Sequence, residues 1–288
     1  MLVSREFKPK RDELIYHYCS AETFHAICTY KAIRFSDLFS MNDFLEIHWG
    51  YSIWEKAANE IIKDVGESFL DQIDKIISTT GIRTSTLASC FSLKPDVLSQ
   101  WRSYTNDGHG YCIGFKAQDI IQLPVRPLKV LYNENKQIKE TVAILRAIFE
   151  TEDNDNNQEK YGKNFFHACA MLAVDLAAFK NPAFVEEMEI RLLHLLNFEQ
   201  SNKFLRLKDI GGTSFGEEVE GEQVKFRMAN SLPVPYIDIN FTNKGKVNPI
   251  KEVYIGPKND SRTTAISVFL ETMDVGNVNV IKSKASYR

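Results

Sequence analysis

The chain is short of the features that would place it quickly. It has five cysteines, Cys19, Cys28, Cys90, Cys112 and Cys169. Their number is odd, they are scattered, and no Cys-x-x-Cys pair occurs. That predicts reduced core thiols in a cytosolic protein and argues against a disulfide frame or a zinc site. No charge of one sign dominates: the net charge is −3, which gives no global basic field for gripping nucleic acid and leaves only a local groove for such a partner. No apolar run is long enough to span a bilayer, so no membrane partner is expected. Met1 to Arg11 is charged and carries no apolar signal region, so the expected location is cytoplasmic. No repeat is visible, and no linker rich in Pro, Gly or Ser cuts the 288 residues. His-Glu-x-x-His, Gly-x-Ser-x-Gly and a phosphate loop ending in Gly-Lys-Ser/Thr are all missing. Gly108, Gly110 and Gly114 have the wrong spacing for a dinucleotide fingerprint and lead into a strand rather than a helix. His109 and Cys112 lack further ligands at matching spacing, so no metal is assigned.

What is present reads as an ordinary soluble globular chain, 44% hydrophobic and 25% charged, long enough for one large domain with a substantial core. Leu14 to Ser20 is rich in β-formers and predicts a first strand. Ser20 with Glu22 and Thr23 predicts a helix start, and Phe24, Ile27 and Cys28 follow at helical spacing. Ile33 to Ser36 is a second short strand, followed by a polar turn at Ser40-Met41-Asn42-Asp43. Apolar steps of three and four from Ile47 to Ile77 predict amphipathic helix, with Gly66 as a point of division. Thr86 to Ser92 is β-like, and Pro95-Asp96 breaks it and caps a helical turn over Val97 to Tyr104. Asn106-Asp107-Gly108 is a turn. Tyr111 to Phe115 and Val125 to Tyr132 are strands. Ile138 to Phe149 and Phe165 to Phe179 are helical, with a polar loop from Thr151 to Lys160 between them. Gly211 to Gln223 is an exposed loop, and Ile237 to Phe241 and Val253 to Ile255 are strands. Asp260 to Thr272 is a helix capped by Asp260 or Ser261, and Val278 to Ile281 is a last strand. The fold class is α+β: a single domain over residues 1–288, with helical insertions near 47–78 and 136–180.

One stretch organises the rest. From Glu187 to Leu192 polar and apolar residues alternate, which predicts a strand with Glu187, Glu189 and Arg191 on one face. Met188, Ile190 and Leu192 take the other face and belong to the core. Neighbours along a face lie about 7 Å apart. Two carboxylates and a guanidinium on a rigid, apolar-backed element suit a cationic or sugar-like substrate. The plainer alternative is a solvated face whose charges pair with each other. His17 sits between Tyr16 and Tyr18, which point to the opposite face, so it is either buried with a partner or lines a cleft. Within Gln100 to Tyr104, Trp101 suits a core anchor. Arg102 suits a phosphate or a carboxylate such as Glu187 or Glu189, and Tyr104 can stack on a planar ring.

Two resemblances rest on these residues. Tyr16-His17-Tyr18-Cys19-Ser20, a helix and Ile33-Arg34-Phe35 resemble the opening of ADP-ribosyltransferases, and the later strand-borne Glu resembles their third motif. The whole chain also resembles an uncharacterised bacterial family of unknown function, through Asn42-Asp43-x-x-Glu46, Cys90-Phe91-Ser92, Leu98 to Tyr104, Gly110-x-Cys112-Ile113-Gly114-Phe115, Phe184-x-x-Glu187-x-Glu189-x-Arg191, Ile255-Gly256-Pro257 and Ser283 to Arg288. The first resemblance implies an ADP-ribosyltransferase-like split β-sheet core and NAD as substrate. It implies an acceptor macromolecule, protein or nucleic acid, and the role of an intracellular toxin or phage-defence effector. His17 would then bond a ribose hydroxyl with Ser20 in support, and Tyr18 and Arg191 would belong to the same binding set. Tyr104 or Trp101 would stack on nicotinamide, and Arg102 would meet the diphosphate. Glu189 or Glu187 would hold the nicotinamide-ribose 2′-hydroxyl and stabilise an oxocarbenium-like transition state. Two alternatives from other classes stand beside it: a metal-dependent nuclease or phosphodiesterase built on Asp43, Glu46, Glu187 and Glu189, and a module that binds an NAD-like ligand or partner without turnover.

Overall fold

A computed structural model describes residues 5–38, 44–154, 160–229 and 231–286, without the side chains of 44–47 and 79–84. In chain order it runs β1 Leu14–Cys19, α1 Ala21–Tyr30, β2 Ala32–Asp37, α2 Phe44–Val65, α3 Glu67–Arg83, β3 Thr84–Ser92, α4 Leu98–Tyr104, β4 Tyr111–Lys116 and α5 Ala117–Ile120. It continues with β5 Arg126–Lys129, α6 Glu134–Asn154, α7 Lys163–Leu176, β6 Glu189–Gln200, β7 Leu205–Lys208, β8 Gly212–Ser214, β9 Glu217–Val219, β10 Lys225–Ala229, β11 Leu232–Asn240, β12 Ile250–Ile255, α8 Thr263–Thr272 and β13 Asn279–Lys282. The class is α+β with a mixed sheet: β12 and β13 are parallel, while the remaining pairs of the sheet are antiparallel. The predicted turn at residues 40–43 and most of the predicted loop after Asn154 lie outside the described residues.

Ser20 starts α1 as expected, accepting a hydrogen bond from the Thr23 amide at 3.3 Å. Gly66 separates α2 from α3 with φ +82°, a conformation that favours glycine. Four sequence expectations are corrected. Asp96 does not cap α4: Val97 takes that position without a side-chain bond. Asp96 instead accepts from Trp101 Nε1 at 2.8 Å and from the Lys284 amide at 2.8 Å, tying the C-terminal segment to the α4 region. Neither Asp260 nor Ser261 caps α8, which begins after Arg262. Gly211 to Gln223 is not plain loop, because it folds into the β8–β9 hairpin. Thr151 to Asn154 still belongs to α6.

The two helical insertions form one unit. Ile53, Trp54, Ala57 and Ile61 of α2 pack with Phe69 and Ile73 of α3, Leu145 and Ile148 of α6, and Phe165 and Leu172 of α7. The main core lies elsewhere, where Ile15, Phe91, Ile113, Phe115, Ile190 and Leu192 meet α1 residues Phe24 and Ile27. Gly110 is required where β4 begins: a Cβ there would stand 2.1 Å from the Cys19 carbonyl oxygen.

The sheet forks at β3. One edge of β3 pairs with β6 along its whole length, from Thr84↔Asn197 to Ser92↔Glu189. The other edge is shared. β2 takes it at Leu87 and Ala88, and β1 takes it at Ser92. Ser89, Cys90 and Phe91 lie in the gap between them. The helix α1 connects β1 to β2, so the two strands diverge on either side of its packing.

Candidate active site

A cleft opens at this fork and encloses about 420 Å³, within the roughly 300–1,000 Å³ range of small-molecule pockets. Its walls include His17, Tyr18, Tyr104, Glu187, Glu189 and Arg191. A second cavity of about 450 Å³ lies near Asp209 and Asn240 and holds none of these residues.

The acidic side of the cleft is built at a break in the chain rather than along one strand. Pro182–Glu187 is a 3-10 segment started by Asn181, whose side chain accepts from the Ala183 amide at 2.9 Å. Met188 then adopts φ 44° and turns the chain into β6 at Glu189. Glu187 is therefore not on the strand, which corrects the expected alternation. Glu189 and Arg191 do share a face, but that face is buried. Ile190 and Leu192 enter the main core as expected, while Met188 sits at the turn.

The charges are matched on contact. Arg191 donates from Nε to Glu189 Oε1 at 2.8 Å and from Nη2 to Glu189 Oε2 at 3.0 Å. Lys180 donates to Glu187 Oε2 at 2.5 Å and to Glu189 Oε2 at 3.2 Å. Tyr104 donates its hydroxyl to Glu187 Oε1 at 3.0 Å. The break is held by the Ser92 hydroxyl on the Glu187 carbonyl at 2.7 Å and by the Glu189 amide on Tyr132 Oη at 3.0 Å. The two acids then part electrostatically. Burial would push Glu189 up, but Arg191 and Lys180 prevail and hold it down to about 2. Burial raises Glu187 above the ordinary carboxylate range, against the pull of Lys180 and Tyr104. Burial also raises the Tyr104 phenol, keeping it a donor. Glu189 is a fixed anion locked to a guanidinium, and Glu187, bonded to an ammonium and a phenol, is the acid that burial raises.

The opposite wall carries His17. Its Nδ1 lies 2.9 Å from the Cys90 carbonyl oxygen, which only accepts, so the proton of the neutral ring sits on Nδ1 and Nε2 is left as an acceptor. Burial lowers its pKa despite that bond, which favours the neutral ring. His17 shares its strand face with Ile15 and Cys19 and packs on Phe91 at 5.3 Å. Tyr16 and Tyr18 take the other face with Trp101 and Cys112. Between the walls lies Ser89, 2% exposed, whose hydroxyl has no hydrogen-bond partner among the described residues.

Several expected site residues are placed elsewhere. Ser20 is an exposed-side helix cap and does not line the cleft. Trp101 is fully buried against Tyr18, with ring centroids 5.1 Å apart, and is the core anchor. Arg102 is exposed and outside the cleft. Tyr18 lines the cleft, but its hydroxyl is spent on the Val97 amide at 2.9 Å and the Lys94 carbonyl at 3.1 Å. Of the proposed carboxylate set, Asp43 and the Glu46 side chain lie outside the described residues, and Glu187 and Glu189 already face Lys180 and Arg191. No group of three or more His, Cys, Asp or Glu side chains is placed to hold a metal ion among the described residues. Sequence reasoning missed Lys180, Ser89, Cys90 and the arginines Arg34 and Arg227, all of which line the cleft. Arg34 is legible as a cation on a strand, but its bond to Asp238 at 2.8 Å comes from the adjacent strand β11, far on in the sequence.

The molecule is thus an α+β chain with a polar cleft at a sheet fork, walled by a histidine, a tyrosine and a carboxylate pair. Residues 100–192, about a third of the chain, match the model of a family described as Protein of unknown function (DUF2971). That stretch contains Tyr104, Lys180, Glu187, Glu189 and Arg191 but not His17. No curated protein and no solved structure matches the chain. Among the described residues no helix is long and apolar enough to cross a membrane.

Proposed function

We propose that the cleft binds NAD and that the chain is an ADP-ribosyltransferase acting on an acceptor macromolecule in the cytoplasm. One observation carries the reading: His17, Tyr104 and the Glu187–Glu189 pair, far apart in sequence, line the same cleft. The divergence of β1 and β2 along β3 is the arrangement that a split β-sheet core would need. In this reading the His17 acceptor nitrogen takes a ribose hydroxyl. The Tyr104 ring, 41% exposed at the mouth, offers a face to nicotinamide. Of the two acids, Glu187 is the reacting one. Both oxygens of Glu189 are held by the Arg191 guanidinium, whereas Glu187 is bonded to Lys180 and to Tyr104, the more exposed wall residue. Its carboxylate would steady positive charge as the bond to nicotinamide stretches.

The test is incubation of the full chain with NAD labelled in the ADP-ribose part, following nicotinamide release and label transfer. Release by the native chain, lowered roughly 10²–10³-fold by Glu187→Gln, is the expected result. No release from the native chain, or a Glu187→Gln variant as active as the native chain, contradicts it.

A further inference from the structure

Lys180 belongs to no motif, yet it touches both acids of the cleft. Its ammonium is 4% exposed and bonds Glu187 and Glu189 together. A buried ammonium on a four-carbon stem is costly, and the stem would otherwise be free to rotate. Here it is pinned at its root. The Lys180 amide donates to the Leu131 carbonyl at 3.1 Å, and the Lys180 carbonyl accepts from Gln137 Nε2 at 2.9 Å. Gln137 is fully buried on α6 and also donates to the Leu131 carbonyl at 2.5 Å. Its amide oxygen accepts from Trp49 Nε1 of α2 at 3.1 Å. The Phe184 ring lies 5.0 Å from the ammonium. A chain of contacts therefore runs from the helical unit, through Gln137 and Lys180, to the acid at the cleft.

Glu189 has both oxygens on Arg191 without Lys180. Glu187 is held by Lys180 on Oε2 and by Tyr104 on Oε1. The ammonium thus matters more for Glu187. We propose that Lys180 is a positioning residue that holds Glu187 Oε2 and so fixes the carboxylate across the cleft from His17, and that the helical insertions serve the site by anchoring Lys180 through Gln137. The proposal rests on Glu187 being the reacting acid. The groups acting on Glu187 are Lys180, Glu189 from β6, Tyr104 from α4 and Tyr132 after β5, and the other charged or titratable groups lining the same cleft are His17, Tyr16 and Tyr18 from β1, Arg34 from β2, Cys90 from β3, Arg191 from β6 and Arg227 from β10.

The experiment is a carbon-13 carboxyl titration of the full chain by NMR, on the native protein and on Lys180→Met, Lys180→Arg and Gln137→Leu, with thermal unfolding as the control for fold. Lys180→Met removes the cation, so the Glu187 titration midpoint moves up by at least one pH unit while that of Glu189 moves less. Lys180→Arg restores most of the native midpoint. Gln137→Leu keeps the charge but releases its root, and gives an intermediate rise. In nicotinamide release, the acidic limb of the kcat/KM profile shifts with the same order of variants. If Lys180→Met does not fold, Gln137→Leu and Lys180→Arg decide by the same midpoint. A Glu187 midpoint unmoved in a folded Lys180→Met, or unmoved in Gln137→Leu where that variant has to decide, overturns the proposal. The titration needs no turnover, so a chain that releases no nicotinamide sinks the transferase reading while the role of Lys180 is still decided.

Discussion

At the scale of single residues, the two acids show how neighbours outrank residue type. Glu187 and Glu189 are two positions apart and chemically identical, yet one is raised by burial and the other is held to about 2 by Arg191 and Lys180. Glu189→Gln is therefore expected to take from Arg191 the carboxylate charge it faces in a buried place and to destabilise the fold by about 3–5 kcal/mol. Chemical denaturation of the variant against the native chain measures it, and a change under about 1 kcal/mol would contradict the assignment of Glu189 as a structural anion. The sign of the pH dependence follows. A carboxyl depressed in the fold contributes stability above its ordinary value of 4.5 and loses it as pH falls toward about 2. Glu187, Glu189, Arg191, His17 and Tyr104 were legible because their residue types are conspicuous in their local patterns. Lys180 was not, since Phe-Lys-Asn-Pro reads only as the end of a helix, and the 3-10 segment and Met188 turn that fold Glu187 and Glu189 back onto it leave no pattern in the sequence. Trp101 is the core anchor that its residue type suggests, while Arg102 of the same stretch is exposed outside the cleft, a placement that the polar-aromatic pattern does not record.

At the scale of elements, boundaries set by side-chain contacts are what sequence patterns miss. The alternation from Glu187 to Leu192 is present, but the Met188 turn and the Ser92 bond to the Glu187 carbonyl end the strand at Glu189. Most helices and the central strands followed their periodicity, because their burial is one-sided or continuous. The β8–β9 hairpin did not, because its residues are largely exposed and it is held by one buried pair. His194 Nε2 lies 2.8 Å from Asp209 and Nδ1 lies 2.7 Å from the Pro124 carbonyl, and both partners are acceptors. Only a ring with protons on both nitrogens satisfies the two. Burial opposes the charge, but Asp209 and the Pro124 carbonyl overcome it and raise the His194 pKa. Asp209 also accepts from the Gly211 and Glu222 amides at 2.8 Å each, so it closes the hairpin's base. A histidine raised in the fold contributes stability that is full below its unfolded value near 6.5 and lost as pH rises through the folded value. The melting temperature of the native chain is expected to fall across that alkaline window, and His194→Gln is expected to flatten the slope. Equal slopes in the two would contradict a charged His194.

At the scale of the whole molecule, the α+β class and the helical character of α2, α3, α6 and α7 were legible from composition and period. The fork of the sheet was not, because it depends on β1 and β2 sharing one edge of β3, and no local pattern records which strands become neighbours. The two insertions join into one helical unit that reaches the site through Trp49, Gln137 and Lys180. The acidic side of the cleft is anchored from the helices, and the histidine side comes from the sheet. The most direct measurement is a crystal structure of the chain soaked with a non-hydrolysable NAD analogue. The expected result is the analogue in the cleft at the fork, with a ribose hydroxyl on His17, its nicotinamide face on Tyr104 and the Ser89 hydroxyl newly partnered. Analogue bound in the cavity beside Asp209 and Asn240, or an empty cleft at saturating concentration, would contradict the account.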